Sequence, residues 1–284
     1  MKDLKNYQKI NKYKIKDCIK KIESNGYVVL KNVISKKECE KFKSLLEDYY
    51  EKYSKKYEFS KSKKISLANK SFEKVVFNLH NKDLIWFKLF QNKFVLNILD
   101  IILKKGSFRN SEPYYLNNIS ARCPLKGNKG QQMHVDSNLP GVNYNLVTNV
   151  QWLLDDFDKK NGSTYLVPKT HLIKKYAGNN KKIKGKILIE AGQGSVLIYN
   201  GNLWHGGTEK NNNNSRWALI LGYARWFIKP SFDYMLNTPI NIYKRLNKKQ
   251  KSLLGFDLIP PKDEFTRTTR RSNFFEKPKK YKLI

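Results

Sequence analysis

Cysteine is scarce in this chain. Cys18, Cys39 and Cys123 are an odd number at unrelated spacings, with no CxxC pair. They give no disulfide framework, and a reducing compartment is the natural expectation. Long hydrophobic runs are also missing. No stretch approaches the roughly 20 apolar residues of a membrane-spanning helix, and the opening MKDLKNYQKINKYKIKD has no apolar core of a secretory signal. The expectation is a cytoplasmic protein with no membrane span. No internal repeat is visible, and no linker separates two domains.

Arginine is the next scarcity. Of 56 basic residues behind a net charge of +32, only eight are Arg: Arg109, Arg122, Arg216, Arg225, Arg245, Arg267, Arg270 and Arg271. A strongly basic surface attracts polyanions. Readers of phosphates and bases, however, lean on the bidentate Arg fork. Here the charge is carried by Lys scattered among Asn, Ile, Tyr and Phe, the set that AT-rich codon usage produces. Two explanations stay open: compositional drift, or a preference for acidic small ligands such as a coenzyme A thioester or an anionic metabolite.

What remains is ample for folding. A chain of 284 residues, 40% hydrophobic and 13% aromatic, buries a sizeable core and is not disordered. We expect one domain over 1–284: an N-terminal helical region with one strand (1–112), a β core (113–229) and a C-terminal tail (230–284). KIKDCIKKIES places Ile15, Cys18, Ile19 and Ile22 at helical spacing, and Asn25-Gly26 stops that helix. GYVVLKNV reads as a strand. Ser35 and Glu38 form a capping box that opens a helix of about 20 residues, followed by a Lys- and Ser-rich surface loop at 55–72. A further helix is expected over 83–105.

From Pro113 the pattern changes to short apolar runs divided by Gly, Asn and Pro: YYLNNISARCPL, NLVTNVQWLLDD, STYLVP, KILIEA, GSVLIYN and RWALILGYARWF. Six strands without intervening helices predict a mainly β fold, a sandwich or double-sheet jelly roll with flanking helices. After Pro230 a helix is expected over 238–254. The last 25 residues read as an ordered wrap or a flexible end.

Histidine is rarer still, with four in the chain. In QQMHVDS, His134 and Asp136 stand two apart, so on an extended segment both side chains point the same way. Two His and one carboxylate form a metal-binding set with positions left open. The second His comes from His171 or His205. His205 is favoured, because it follows the strand GSVLIYN and is trailed by Gly206 and Gly207, which allow close backbone approach. His171 opens a Lys-rich loop that reads as exposed, and His80 reads as a surface or packed residue. Arg216, eleven residues after His205, is the candidate to anchor a carboxylate; Arg225, at an odd offset, faces the other way on a regular strand. Asn149 and Gln151 share one strand face, either lining a site or facing solvent.

Together these residues resemble the phytanoyl-CoA dioxygenase family of iron(II)- and 2-oxoglutarate-dependent oxygenases. The resemblance runs through GYVVLKNVISKKECEKF, HVD, the WLLDD and NGSTYLVPKTH blocks, GQGSVLIYNGNLWHGG, SRWALILGY and the tail RLNKKQKSLLGF. It implies a double-stranded β-helix, with His134, Asp136 and His205 as ligands of Fe(II) and Arg216 as anchor of the distal carboxylate of 2-oxoglutarate. Asn149 and Gln151 fall on a strand that contributes co-substrate contacts in relatives. The implied activity uses O2, releases succinate and CO2, and hydroxylates a small-molecule or acyl-thioester substrate. Asp136 argues against halogenation, since related halogenases carry a small residue there. His171 matches a PGSH-like turn, but PKTH lacks the Gly. Nucleic-acid demethylases with these cofactors carry a second Arg six residues after the anchor. Here that residue is Gly222, which disfavours nucleic acid as a partner. A non-catalytic jelly-roll binding protein is the alternative reading.

Overall fold

The computed structural model describes residues 15–58, 72–107, 113–137, 139–178, 183–258 and 264–265. Ten strands build it: β1 (Tyr27–Leu30), β2 (Glu73–Phe77), β3 (Tyr114–Pro124), β4 (Gln131–His134), β5 (Val147–Leu153), β6 (Thr164–Leu166), β7 (Ile187–Leu188), β8 (Val196–Asn200), β9 (His205–Gly207) and β10 (Ala218–Arg225). A six-stranded sheet has the order β1-β8-β5-β10-β3-β2, and a four-stranded sheet the order β4-β9-β6-β7. Every pairing with a defined register is antiparallel. This is the mainly β, double-stranded β-helix architecture expected, and all six anticipated strands are present. The chain packs as two compact units, one running to Phe77 and then from Ser120 to Ile220, the other from Asn78 to Ile119 and from Leu221 onward.

In the first unit the core is a cluster of Leu153, Phe157, Leu166, Ile189, Leu197, Tyr199, Leu203 and Ala218, drawn from both sheets. The helix Ile15–Asn25 buries Cys18 and Ile22 and ends at Gly26. That residue has a φ of +90°, which a side chain rarely adopts. The helix Lys36–Glu58 opens on the expected capping box: Ser35 N–H donates to Glu38 Oε2 at 2.8 Å and Glu38 N–H to Ser35 Oγ at 3.3 Å. Lys43 Nζ reaches Asp155 Oδ1 at 2.6 Å, while Asp155 Oδ2 accepts from Trp217 N–H and Ser215 Oγ, each at 2.8 Å. Asp155 thus ties this helix to the entry of β10. The helix extends through Glu58, so the first four residues of the expected loop are helical; 59–71 lie outside the described residues.

The second unit departs from expectation in two places, for one reason. The helix expected over 83–105 is a 3-10 turn Leu84–Trp86, a short helix Phe87–Phe90 and a helix Lys93–Lys104. The tail helix expected over 238–254 is likewise split into Ile240–Tyr243 and Lys248–Leu253. At each restart an Asn side chain caps the new helix. Asn92 accepts from Val95 N–H at 3.2 Å. Asn247 and Gln250 form a reciprocal capping box, each bond 2.9 Å. Apolar spacing carried through both breaks, but an Asn that satisfies orphan N–H groups makes a new N-terminus there. Apart from 264 and 265, the last residues from 259 lie outside the described part.

His80 is fully buried in this second unit, with Nε2 2.7 Å from Asn237 Oδ1 and its ring edge against Tyr234. Burial pushes its pKa down to about 4. An unfolded imidazole takes up a proton below about 6.5, so between these values the unfolded chain binds more protons and stability is lost as the pH is lowered. At about 1.36 kcal/mol per pH unit the loss attributable to His80 approaches ~3 kcal/mol near pH 4. Denaturant midpoints at pH 7 and pH 4.5 check this: wild type is expected to lose more than His80→Gln, and equal losses would remove His80 as the cause.

Candidate metal centre

The β4 and β9 strands are antiparallel neighbours, and His134 stands directly across from His205 in their register. The two rings lie 4.1 Å apart between centroids. After β4 the chain bends, with Asp136 N–H and Ser137 N–H donating to Gly201 O at 2.8 and 3.1 Å. The bend brings the Asp136 carboxylate to both imidazoles: Oδ1 is 3.4 Å from His134 Nε2, and Oδ2 is 3.2 Å from His205 Nε2. One ligand atom from each of the three residues falls within 4.8 Å of the others. Gly206 is required here, since a Cβ at that position would meet Gln131 O at 2.6 Å and collide with the Tyr165 hydroxyl.

The ring nitrogens are sorted by their partners. His134 Nδ1 is 2.9 Å from Gln132 O, and His205 Nδ1 is 2.9 Å from Leu203 O. A carbonyl only accepts, so in the neutral ring each Nδ1 carries the proton and each Nε2 keeps its lone pair toward Asp136. Two lone pairs and a carboxylate converging on one point are the donor set of a cation. An Nδ1–H held by a backbone carbonyl is how metal-bound imidazoles are oriented. The residues present fit a transition-metal ion of the ferrous type. Burial would raise the pKa of Asp136, but the imidazoles of His205 and His134 prevail and hold it well below the usual carboxylate range. Burial would lower His134, and the Asp136 carboxylate reverses this and raises it.

Asn149 and Gln151 are both buried, so this strand face looks inward and not to solvent. Asn149 Nδ2 donates to Asp136 Oδ2 at 2.7 Å, which orients the carboxylate. Gln151 Oε1 accepts from Thr164 Oγ1 at 3.2 Å. Tyr199, which sequence reasoning passed over, is the register partner of Asn149 on β8 and lies 4.9 Å from the His205 ring. Burial pushes its phenol well above the ordinary value. VLIY is apolar and buried on both faces, so the sequence carries no alternation to mark the face of Tyr199.

His171 does not join the cluster. It is buried rather than exposed, with Nε2 3.0 Å from Glu23 O. The Lys-rich sequence around it describes the neighbouring residues, not the imidazole. Lys169 takes up the backbone role of the missing Gly in PKTH, at φ +69° in the left-handed region. Such a conformation costs a non-Gly residue about 1–3 kcal/mol, part of which a Gly would give back through its looser unfolded state. Lys169→Gly is therefore expected to raise stability by about 1 kcal/mol, read as a higher denaturant midpoint at unchanged slope. A lower midpoint would count against strain at this turn.

Arg216 lies at the entry to β10 and is buried. Its Nε and Nη2 donate to Gly162 O at 2.9 and 2.6 Å, and the guanidinium stacks over Phe157, 4.4 Å from the ring centroid. Burial pushes its pKa down to about 10, so it stays charged at neutral pH. Arg216 lines a cavity of about 430 Å³ together with Glu73, Arg122, Gln131, Gly207 and Thr208. Arg225 is spent elsewhere, donating to Lys105 O at 2.6 Å. A side chain at Gly222 would meet the Asn117 side-chain oxygen at its Cβ, so Asn117 would have to move to admit one.

A model of the phytanoyl-CoA dioxygenase family matches residues 22–218 of the chain. The chain belongs to the phytanoyl-CoA dioxygenase family. Within reach of this family, a dioxygenase of Aspergillus fumigatus, af480, is 23% identical over 198 residues, which are 65% of this chain and 59% of that protein. An uncharacterized protein of Saccharomyces cerevisiae is 21% identical over 281 residues, 88% of this chain and 76% of that protein. The chain thus spans about three fifths of the length of the first of these curated relatives, and only 40% of an uncharacterized Mycobacterium tuberculosis protein. Among solved structures, HygX of Streptomyces hygroscopicus with nickel and 2-oxoglutarate bound is similar at a TM-score of 0.57 and 15% identity, over 75% of this chain and 88% of that one. The epimerase SnoN, in complex with Fe3+, alpha ketoglutarate and nogalamycin RO, has a TM-score of 0.58 at 12% identity, over 76% of this chain and 86% of that one. Likeness at these identities establishes the shared fold. No helix among the described residues is long and apolar enough to cross a membrane.

Proposed function

We propose that this phytanoyl-CoA dioxygenase family member is an Fe(II)- and 2-oxoglutarate-dependent dioxygenase that hydroxylates a small-molecule substrate. The observation that carries the reading is the convergence of His134 Nε2, His205 Nε2 and the Asp136 carboxylate, with each Nδ1 tied to a carbonyl two residues earlier. His134, Asp136 and His205 would hold the ferrous ion, and Asn149 would keep the Asp136 carboxylate turned toward it. Arg216 would receive the distal carboxylate of 2-oxoglutarate, in a cavity where Gly207 and Gln131 bring the wall of the β4 and β9 pair close. Bound there, iron and 2-oxoglutarate supply the means to use O2 on a substrate C–H bond, with release of succinate and CO2. Tyr199 and the inward face of β5 wall the ligand set on the buried side, which limits access of bulk water.

Both the similar HygX structure with 2-oxoglutarate and the SnoN complex support this class, and SnoN as an epimerase adds a second outcome at the substrate. The test is succinate formation from 2-oxoglutarate by the Fe(II)-loaded protein, screened with acyl thioesters, amino acids and terpenoids. Gain of one oxygen in a product supports hydroxylation, and an isomer of unchanged mass supports epimerisation. A wild-type protein that binds no metal would end the oxygenase reading and leave a binding protein on a jelly-roll frame.

A further inference from the structure

The cavity beside β4 and β9 holds two guanidinium groups and one carboxylate. Arg122 on β3 has Val75 on β2 as its register partner, and Glu73, two residues before Val75, shares that face. Arg122 Nη1 lies 3.5 Å from Glu73 Oε2, with side-chain exposures of 27% and 14%. The intervening Lys74 points to the opposite face, where its Nζ meets Glu47 Oε2 at 2.6 Å. Edge strand β2 therefore sends one charge to the helix side and the other into the cavity.

Arg216 is not a free fork in this arrangement. Its Nε and Nη2 are both used on Gly162 O, and its flat face is covered by Phe157. With Nε–H and one Nη2–H spent on that carbonyl, Arg216 keeps three of its five N–H donors, and a carboxylate meets it only through the end-on pair of Nη1 and Nη2. Arg122 adds a second guanidinium, with its own donors, to the same cavity. Its charge is felt at His134 and Tyr199 on one side and at Glu73 and Arg216 on the other. Glu73, largely removed from water, is raised by burial and pulled back by Arg122 and then Arg216. It gives the two guanidiniums the partner that an incoming carboxylate would otherwise be.

We propose that Arg122 is a second binding residue for the distal carboxylate of 2-oxoglutarate, and that Glu73 is a built-in competitor for the same guanidinium which sets co-substrate affinity. This rests on the co-substrate reading above. An occupant dicarboxylate draws Arg122 away from Glu73, and Glu73 keeps the paired cations from binding any stray anion tightly.

The experiment is equilibrium titration of 2-oxoglutarate into Mn(II)-loaded protein by calorimetry, alongside steady-state KM. Arg122→Gln is expected to weaken binding by about 10- to 100-fold, the size of a lost hydrogen bond to a charged group, with the loss in KM for 2-oxoglutarate more than in kcat. Arg122→Lys recovers part of it. Glu73→Gln tightens binding several-fold. A purely structural ion pair would be damaged by either change, so both variants would then shift in the same direction or not at all, and that result overturns the proposal. If Arg216→Leu weakens binding and Arg122→Gln does not, the role of Arg122 falls alone. If wild type loads Mn(II) but takes up no 2-oxoglutarate, the co-substrate reading falls with it.

Discussion

Asp136→Ala is expected to abolish metal loading and succinate formation while the chain still folds. The loss should exceed 100-fold in metal affinity, because removing only a hydrogen-bond partner of a ligand already costs about 10- to 100-fold. Asn149→Ala, which removes such a partner from Asp136 Oδ2, is expected to fall inside that smaller range. The fold is spared because the Asp136 side chain is one-third exposed and its backbone N–H bond to Gly201 is untouched. Calorimetric titration with Mn(II) and a thermal melt read the two effects separately. An Asp136→Ala protein that binds Mn(II) as tightly as wild type would remove Asp136 from the ligand set.

Arg216→Leu carries the second large effect, this time on the co-substrate. Truncating one member of a buried, hydrogen-bonded charge pair costs about 2–5 kcal/mol, so the KM for 2-oxoglutarate is expected to rise by two orders of magnitude or more, with metal binding retained. The same change leaves Gly162 O without its donors, a further cost to stability of about 1–3 kcal/mol. Arg216→Lys restores the charge but neither the double donation nor the stacking on Phe157, so it rescues only in part. A KM equal to that of wild type in Arg216→Leu would leave the distal carboxylate to some other group.

Much of this was legible in the residues, and the boundary of legibility has physical causes. His134 and Asp136 were readable because a two-residue spacing fixes a shared direction, and His205 because it follows an apolar strand and precedes two glycines. The six apolar strands announced themselves. β4 and β9 did not, since QQMH and HGG contain almost nothing apolar and are strands through backbone pairing alone, β4 with β9 and β9 with β4 and β6. The breaks at Asn92 and Asn247 were hidden under continuous apolar spacing, although both are good capping residues. His171 looked exposed because its neighbours are Lys. Arg122 and Glu73 were beyond reach, because β2 is set by pairing with β3, and that register places the two charges together.

β4 is the edge of its sheet, with β9 as its single strand neighbour and an irregular ladder between Gln131 and His134. Edges of this kind are where local opening begins. An ion shared by His134 and His205 would clasp that edge across roughly seventy residues of intervening chain. Metal binding draws the whole equilibrium toward the closed form by mass action, and cleavage by cellular proteases follows the open population. Iron supply would then govern the lifetime of this protein as well as its turnover, with starved copies cleared first.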